Sequence, residues 1–300
     1  MTRKSPQAVK SSARPTILIS GCSSGIGYAC AHGLRERGWR VFAGVRRDAD
    51  MQRLRGEGLE AVLLDVDDSA SIGAAAETVL AATGRRLDAL FNNAGFGQPG
   101  AVEDLSRQAL REQFETNLFG AMELGNHLIP AMRARGRGRI VFNSSVLGFT
   151  ALPYRGAYVA SKFAMEGLAD TLRMELAGSG IHVSLIEPGP ITSRFRSNAL
   201  RKYQQHIRPQ ESAHRTVYKA LEKRLASPDD TTTGGGRFTL PPEAVLKRLV
   251  HALESRRPRP RYYVTVPTYL FGYMRRLLSS RAMDWLLLRA TTSERRPPRR

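Results

Sequence analysis

The sequence predicts an α/β fold, a doubly wound parallel sheet in one large domain, followed by a C-terminal amphipathic extension. Two observations carry that expectation. From Thr16 to about Pro190, short apolar runs alternate with helical stretches, punctuated by Gly, Asp or Asn. The runs are apolar without polar alternation, which suits strands buried on both faces. The strands are expected at Thr16–Ser20, Arg40–Val45, Ala61–Asp65, Leu87–Phe91, Arg139–Ser144 and His182–Glu187. Helices are expected over Gly27–Arg37, Ser69–Thr83, Leu105–Arg135 and Ala157–Leu176, and right-handed crossovers place them on both faces.

Past Pro190 the pattern weakens. Ile191–Leu240, broken by Thr231–Gly236, reads as mobile helices and a loop over a pocket. Pro241–Leu253 reads as a helix opened by two prolines, and Arg261–Val266 as a last strand. Residues 1–15 are then a disordered basic arm, 16–266 the main domain with 191–240 over its pocket, and 267–300 an amphipathic helical extension with a basic tail.

With 300 residues, 42% of them hydrophobic, the chain is long enough for a substantial core. Cys22 and Cys30 have no partnering Cys or His spacing, so buried reduced thiols are expected, with no metal site. No apolar run approaches the roughly 18 residues of a membrane span, and the basic N-terminus lacks the apolar stretch of a secretory signal. A cytoplasmic protein is expected, with peripheral membrane contact left open. The net charge of +19 sits mainly in the ends: +4 in residues 1–15 and +10 in residues 256–300, leaving +5 for the rest. Such ends attract acidic lipid or nucleic acid, or serve as a solubilising fringe. No interleaved aromatic platform accompanies the arginines, so no nucleic-acid partner is expected.

Ser20-Gly21-Cys22-Ser23-Ser24-Gly25-Ile26-Gly27 joins the first strand directly to a helix. Glycines there permit a tight turn and close approach of backbone N–H groups to a pyrophosphate at the positive helix end. A glycine cluster alone is a weak signal, since any strand-to-helix turn uses Gly. The Gly-x-x-x-Gly-x-Gly spacing resembles that of the short-chain dehydrogenase/reductase family. The resemblance extends through Asn92-Asn93-Ala94-Gly95, Asn117, Ser144-Ser145, Tyr158-x-x-x-Lys162 and Pro188-Gly189, and so covers about Thr16 to Thr192. It implies a Rossmann-type doubly wound sheet, a nicotinamide dinucleotide cofactor and a homo-oligomer, dimer or tetramer.

The same resemblance assigns cofactor contacts to Gly21, Ser23, Ser24, Gly25, Ile26 and Gly27. Asp65 and Val66 would lie at the adenine ring, and Asn93, Ala94 and Gly95 behind the adenosine ribose. Pro188, Gly189, Ile191 and Thr192 would hold the nicotinamide. The second strand ends Ala43-Gly44-Val45, followed by Arg46 and Arg47, with no acid at its tip. A carboxylate there accepts hydrogen bonds from the ribose of NAD(H) and repels a 2′-phosphate. NADP(H) is therefore the expected cofactor, with NAD(H) possible; Asp48 and Asp50 follow closely but beyond the tip.

Tyr158 and Lys162 are one helical turn apart and project from one face, about 6 Å apart along the axis. A hydride that moves to or from carbon needs a proton at the adjacent oxygen, and a tyrosine near pKa 10 is a poor base at neutral pH. Its pKa is expected to fall beside the Lys162 ammonium and the positively charged nicotinamide. The resemblance makes Tyr158 and Lys162 both catalytic and cofactor-binding, with Lys162 at the nicotinamide ribose, and identifies Ser145, thirteen residues before Tyr158, as the catalytic serine, with Ser144 as support. It gives the Asn117 amide a proton-relaying water. Ser145–Tyr158 resembles the hydroxysteroid and retinol dehydrogenase branch, which implies a small apolar alcohol or carbonyl substrate. The alternative is a catalytically silent dinucleotide sensor or scaffold.

In the extension, Leu270, Phe271, Met274, Leu277 and Leu278 recur at helical spacing before Trp285-Leu286-Leu287-Leu288. They are expected to pack on the core or a partner subunit, or to meet a membrane with arginines at acidic headgroups.

Overall fold

The computed structural model describes residues 14–227 and 238–292. Its first half alternates strand and helix: β1 Thr16–Ser20, α1 Gly25–Glu36, β2 Arg40–Val45, α2 Asp48–Gly56, β3 Glu60–Leu63, α3 Ser69–Ala82 and β4 Ala89–Asn92. The helices α4 Arg107–Phe114 and α5 Gly120–Ala134 lead to β5 Gly138–Asn143, α6 Gly156–Glu175 and β6 Ile181–Glu187. Then come α7 Phe195–His206, α8 Arg215–Ala226, α9 Glu243–Glu254, β7 Arg261–Tyr263, α10 Val266–Leu277 and α11 Ser280–Ala290.

All seven strands are parallel, in the order β3-β2-β1-β4-β5-β6-β7. Successive side chains of β1 point to opposite faces, so Leu18 joins the core under α3, α5 and α6, while Ile17 and Ile19 join the one under α1, α2 and α9. The strand order reverses between β1 and β4, which opens a crevice at the C-terminal strand ends.

Three expectations are corrected. β3 stops at Leu63, so Asp65 lies in the following loop, where its carboxylate accepts from the Asp67 N–H at 3.2 Å. Leu105–Arg135 is not one helix, because α4 and α5 meet through a π-turn at Glu115–Phe119 in which the Gly120 N–H reaches back to the Glu115 carbonyl. The short α2 was not expected; it buries only Met51, Leu54 and Asp50, too narrow a face for a clear apolar period. In the segment over the pocket, α7 and α8 pack on a satellite apolar cluster of Ala101, Tyr203, Ile207, Tyr218 and Leu221. The arm through Ala13, Thr231–Gly236 and the tail from Ser293 lie outside the described residues.

Candidate active site

The crevice is built by backbone contact. Gly21, at φ +74°, has no room for a side chain, since a Cβ would sit 2.9 Å from the Ala94 Cα. At Gly27 a Cβ would come within 2.3 Å of the Gly21 carbonyl and 2.6 Å of the Asn93 amide nitrogen. Asn93 seals this turn by donating from Nδ2 to the Ser20 and Gly21 carbonyls at 3.0 and 3.2 Å. The Ser20 hydroxyl accepts from the Asn93 and Ala94 N–H groups, both at 3.0 Å. α1 starts at Gly25 with no side-chain hydrogen bond from its N-cap, Ser24, so its first N–H groups face the crevice without a capping side chain.

The same network runs on to the lysine. Asn143, the last residue of β5, donates from Nδ2 to Asn93 Oδ1 at 2.9 Å, and its carbonyl accepts from Lys162 Nζ at 2.7 Å. Asn117 sits in the π-turn, fully buried. Its Nδ2 donates to the Phe96 carbonyl and the Ser161 hydroxyl at 3.0 and 3.1 Å, and its Oδ1 accepts from the Phe96 N–H at 3.0 Å. That amide is thus engaged in clamping the loop after β4 to α6. A Cβ on Gly95 would stand 3.1 Å from Asn117 Oδ1 and 3.9 Å from Lys162 Nζ, which puts the three residues at one point.

Ser145 caps the single turn Val146–Gly148, its hydroxyl accepting from the Leu147 N–H at 3.1 Å, while the Val146 N–H is held by the Pro188 carbonyl at 2.8 Å. Ile191 bridges to Leu240, and the Thr192 N–H donates to the Leu240 carbonyl at 3.0 Å. Thr192 Oγ1 is buried without a hydrogen-bond partner among the described residues. Gly189 packs on Thr265, whose hydroxyl would be 2.1 Å from a Cβ. Val66 abuts the start of α5, where Gly120 leaves room for its carbonyl. At the tip of β2, Val45 is buried and the two arginines diverge. Arg47 pairs with Asp50 at 2.7 Å, a carboxylate that Arg53 also holds at 3.4 Å, whereas Arg46 is exposed and has no ion pair among the described residues.

The profile of the short chain dehydrogenase family matches residues 15–204. The chain belongs to the short-chain dehydrogenase family. It is 43% identical over 272 residues to the oxidoreductase YbbO of Escherichia coli K12, covering 91% of this chain and 93% of that protein. It is 34% identical to human 17-beta-hydroxysteroid dehydrogenase type 1, covering 84% of this chain and 78% of the relative. Among solved structures, a short-chain dehydrogenase/reductase from Burkholderia phymatum in complex with NAD superposes with a TM-score of 0.73 at 25% identity, covering 96% of this chain and 97% of that one. The protein is an oxidoreductase of CH–OH groups that uses a nicotinamide dinucleotide.

In this dehydrogenase Tyr158 and Lys162 lie on one face of α6, with Nζ 5.8 Å from the tyrosine ring centre. Burial pushes the Tyr158 hydroxyl up to about 12 in the chain alone, opposed by hydrogen bonding with Ser145. The expected fall is therefore not produced by the protein by itself. Burial also depresses Lys162 to about 8, opposed by the Glu166 carboxylate, so the ammonium meant to assist the phenol is itself disfavoured.

Four further residues bear on the dehydrogenase site without having been singled out from the sequence. Asn143 and Ser161 are the links just described, and an Asn ending an apolar strand was a usable signal for the first. Phe195, at the start of α7, stacks edge-on against Tyr158 with centroids 5.4 Å apart. Glu187, fully buried at the end of β6, shares the Arg261 guanidinium with Glu166 and Asp170, at 3.2, 2.8 and 2.8 Å. Burial and the neighbouring Glu166 raise Glu187 well above the ordinary carboxylate range.

Proposed function

We propose that this dehydrogenase is NADP(H)-dependent and interconverts a secondary alcohol and a ketone, or a similar carbonyl, on an apolar steroid-, retinoid- or lipid-like substrate. The observation that carries the proposal is the grouping of Tyr158, Lys162 and Ser145 under the apolar edge of Phe195. A bound nicotinamide would supply or accept the hydride. Tyr158 gives a proton to the substrate oxygen during reduction, and its raised pKa keeps that proton in place at neutral pH. Ser145 hydrogen-bonds the same oxygen as charge develops on it. Lys162, fixed by the Asn143 carbonyl, would hold the ribose of the bound cofactor and returns the proton to Tyr158, while Asn117 positions the loop behind it.

The residues present suit a dinucleotide. The uncapped first turn of α1 and the glycine turn before it accommodate phosphate, and the unpartnered Thr192 hydroxyl accommodates the carboxamide. Arg46, which forms no ion pair among the described residues and has Asp67 as its acidic neighbour, stands beside a strand tip without an acid and favours the 2′-phosphate, and Arg47 and Arg53 neutralise the nearby Asp50. The name of the human relative, a 17-beta-hydroxysteroid dehydrogenase, supports an apolar ring ketone as the substrate class.

The test is a screen of steroid, retinoid and fatty ketones with NADPH and NADH, following cofactor absorbance. The expected result is turnover with NADPH preferred. Arg46→Ala should remove a preference of roughly ten- to 150-fold, the value of one charge-assisted bond. Equal kcat/KM for the two cofactors in the unaltered enzyme would contradict the cofactor assignment. Cofactor binding with no turnover on any carbonyl would favour a silent sensor.

A further inference from the structure

The helix α10 wears its apolar side outward. Its solvent face, at helical spacing, is Val266, Tyr269, Leu270, Tyr273 and Leu277, joined by Arg276, whereas the buried positions are Thr268 and Gly272. Gly272 lets the helix lie directly on the Tyr263 ring, where a Cβ would be 2.6 Å away. Leu277 is 83% exposed and Leu270 52%. The following α11 turns out Trp285, 61% exposed, with the Arg289 guanidinium over its ring and Leu288 beside it. Of the apolar residues expected to form one stripe, Phe271, Met274 and Leu278 are half-buried and Leu270 and Leu277 are not.

Alongside that face is a cavity of about 230 Å³ between α9, β7 and α10. It is lined by Arg248, Arg259 and Arg276 with Tyr269 and Tyr273, and no acidic side chain is among its lining residues. Arg261, at its floor, is already committed to Glu166, Asp170 and Glu187. The other arginines form no ion pair among the described residues, and Arg248 only donates to the Tyr269 hydroxyl at 3.1 Å. Three guanidinium groups and two phenols around a small opening suit a phosphate group, and the leucines and tryptophan beside them suit hydrocarbon.

We infer that α10 and α11 dock on an anionic phospholipid surface, with a headgroup phosphate in the arginine–tyrosine cavity and Leu270, Leu277 and Trp285 in the interfacial layer. Charge complementarity selects this occupant. In a two-fold contact with a second copy the same patch meets itself, so its arginines would face arginines. A nucleic acid would satisfy the arginines but leave the leucines in water. The face also borders the site: Arg275 on α10 donates to the Phe149 carbonyl and stacks on Phe163, and Phe149 follows directly on the turn that Ser145 caps. Docking would thus bring the substrate side of the enzyme to a reservoir of apolar molecules. It does not depend on which carbonyl is reduced.

The experiment is flotation of the full chain with vesicles of equal parts phosphatidylglycerol and phosphatidylcholine, and with phosphatidylcholine alone, in low and high salt. The expected result is co-flotation with the anionic vesicles only, lost in high salt, with a blue shift of tryptophan emission from Trp285, since Trp39 is buried. Arg259→Gln with Arg276→Gln should lower the partition roughly thirtyfold, at about 1 kcal/mol per arginine. Leu270→Ser with Leu277→Ser should lower it at least tenfold, with circular dichroism and NADPH binding unchanged in both pairs. The proposal is overturned if the unaltered chain stays in the soluble fraction. It is also overturned if sedimentation shows a dimer that the leucine pair dissociates, or if duplex DNA binds as tightly as vesicles and the leucine pair leaves vesicle binding intact.

Discussion

The two ends of the crevice are built differently. At the cofactor end, Gly21, Gly27, Ser20 and Asn93 are locked by backbone contacts and by hydrogen bonds to main-chain groups, so few other residues fit. At the substrate end, α7 and α8 are held by side chains, with Tyr218 accepting from the Ala101 N–H at 2.9 Å and donating to Asp104, around a satellite cluster that many apolar sets could fill. Where backbone geometry forces residue identity, function is written as a motif. Where packing alone decides, it is not.

The largest expected effect lies at the locked end. Gly27→Ala drives a Cβ into the Gly21 carbonyl, a backbone atom that cannot rotate away. A loss of about 3 kcal/mol in stability is expected, together with loss of measurable cofactor binding. Chemical denaturation and cofactor titration check both, and a stable variant that binds NADPH normally would break the comparison.

Glu187, where β6 meets the crevice, sharpens it. Its folded-state pKa is raised, by burial first and then by Glu166, so protonation is favoured in the folded chain. The stability this contributes is complete below the unfolded carboxylate pKa and is lost as pH rises above about 5. Glu187→Gln should remove that alkaline loss, flattening the stability profile by up to about 1.4 kcal/mol per pH unit. Urea melts from pH 5 to 9 read it, and an alkaline loss that the variant leaves unchanged would show that Arg261 keeps Glu187 ionised instead.

The smallest effect belongs to the adaptable end. Phe195 is 38% exposed and packs on Tyr158 and Gly97, so Phe195→Ala should leave thermal stability and NADPH affinity nearly unchanged. KM for a large apolar ketone should rise roughly fivefold, for about 1 kcal/mol of lost contact. A fall in stability comparable to that of Gly27→Ala would make the two ends alike.

The same contrast explains what the sequence made legible. The strand grammar gave β1 and β2 with their observed bounds, because buried strands carry a continuous apolar signal. Of the residues singled out, Gly21, Gly27, Asn93, Ala94, Gly95, Asn117 and Lys162 come together through backbone contact and hydrogen bonds, for the reason above. The π-turn around Asn117 left no mark in the sequence, since widening one helical turn changes no residue pattern. Phe195 was hidden in a polar helix whose buried residues, Ala199 and Tyr203, pack on α8 and Ala101 rather than on the sheet. The spacing of Tyr158 and Lys162 shows proximity but not desolvation, and burial holds the Tyr158 hydroxyl up in the chain alone, so the expected fall would rest on the charge of a bound nicotinamide.

The most direct measurement is of Tyr158→Phe, which keeps the ring against Phe195 and removes only the hydroxyl. NADPH affinity and single-turnover oxidation of NADPH by a ketone that the unaltered enzyme reduces would be followed on the same preparation. The expected result is unchanged affinity with turnover slowed on the order of a thousandfold, the range of a lost general acid. Retention of most of the rate, with the hydride still transferred, would show that the proton comes from elsewhere and that Tyr158 is not its donor.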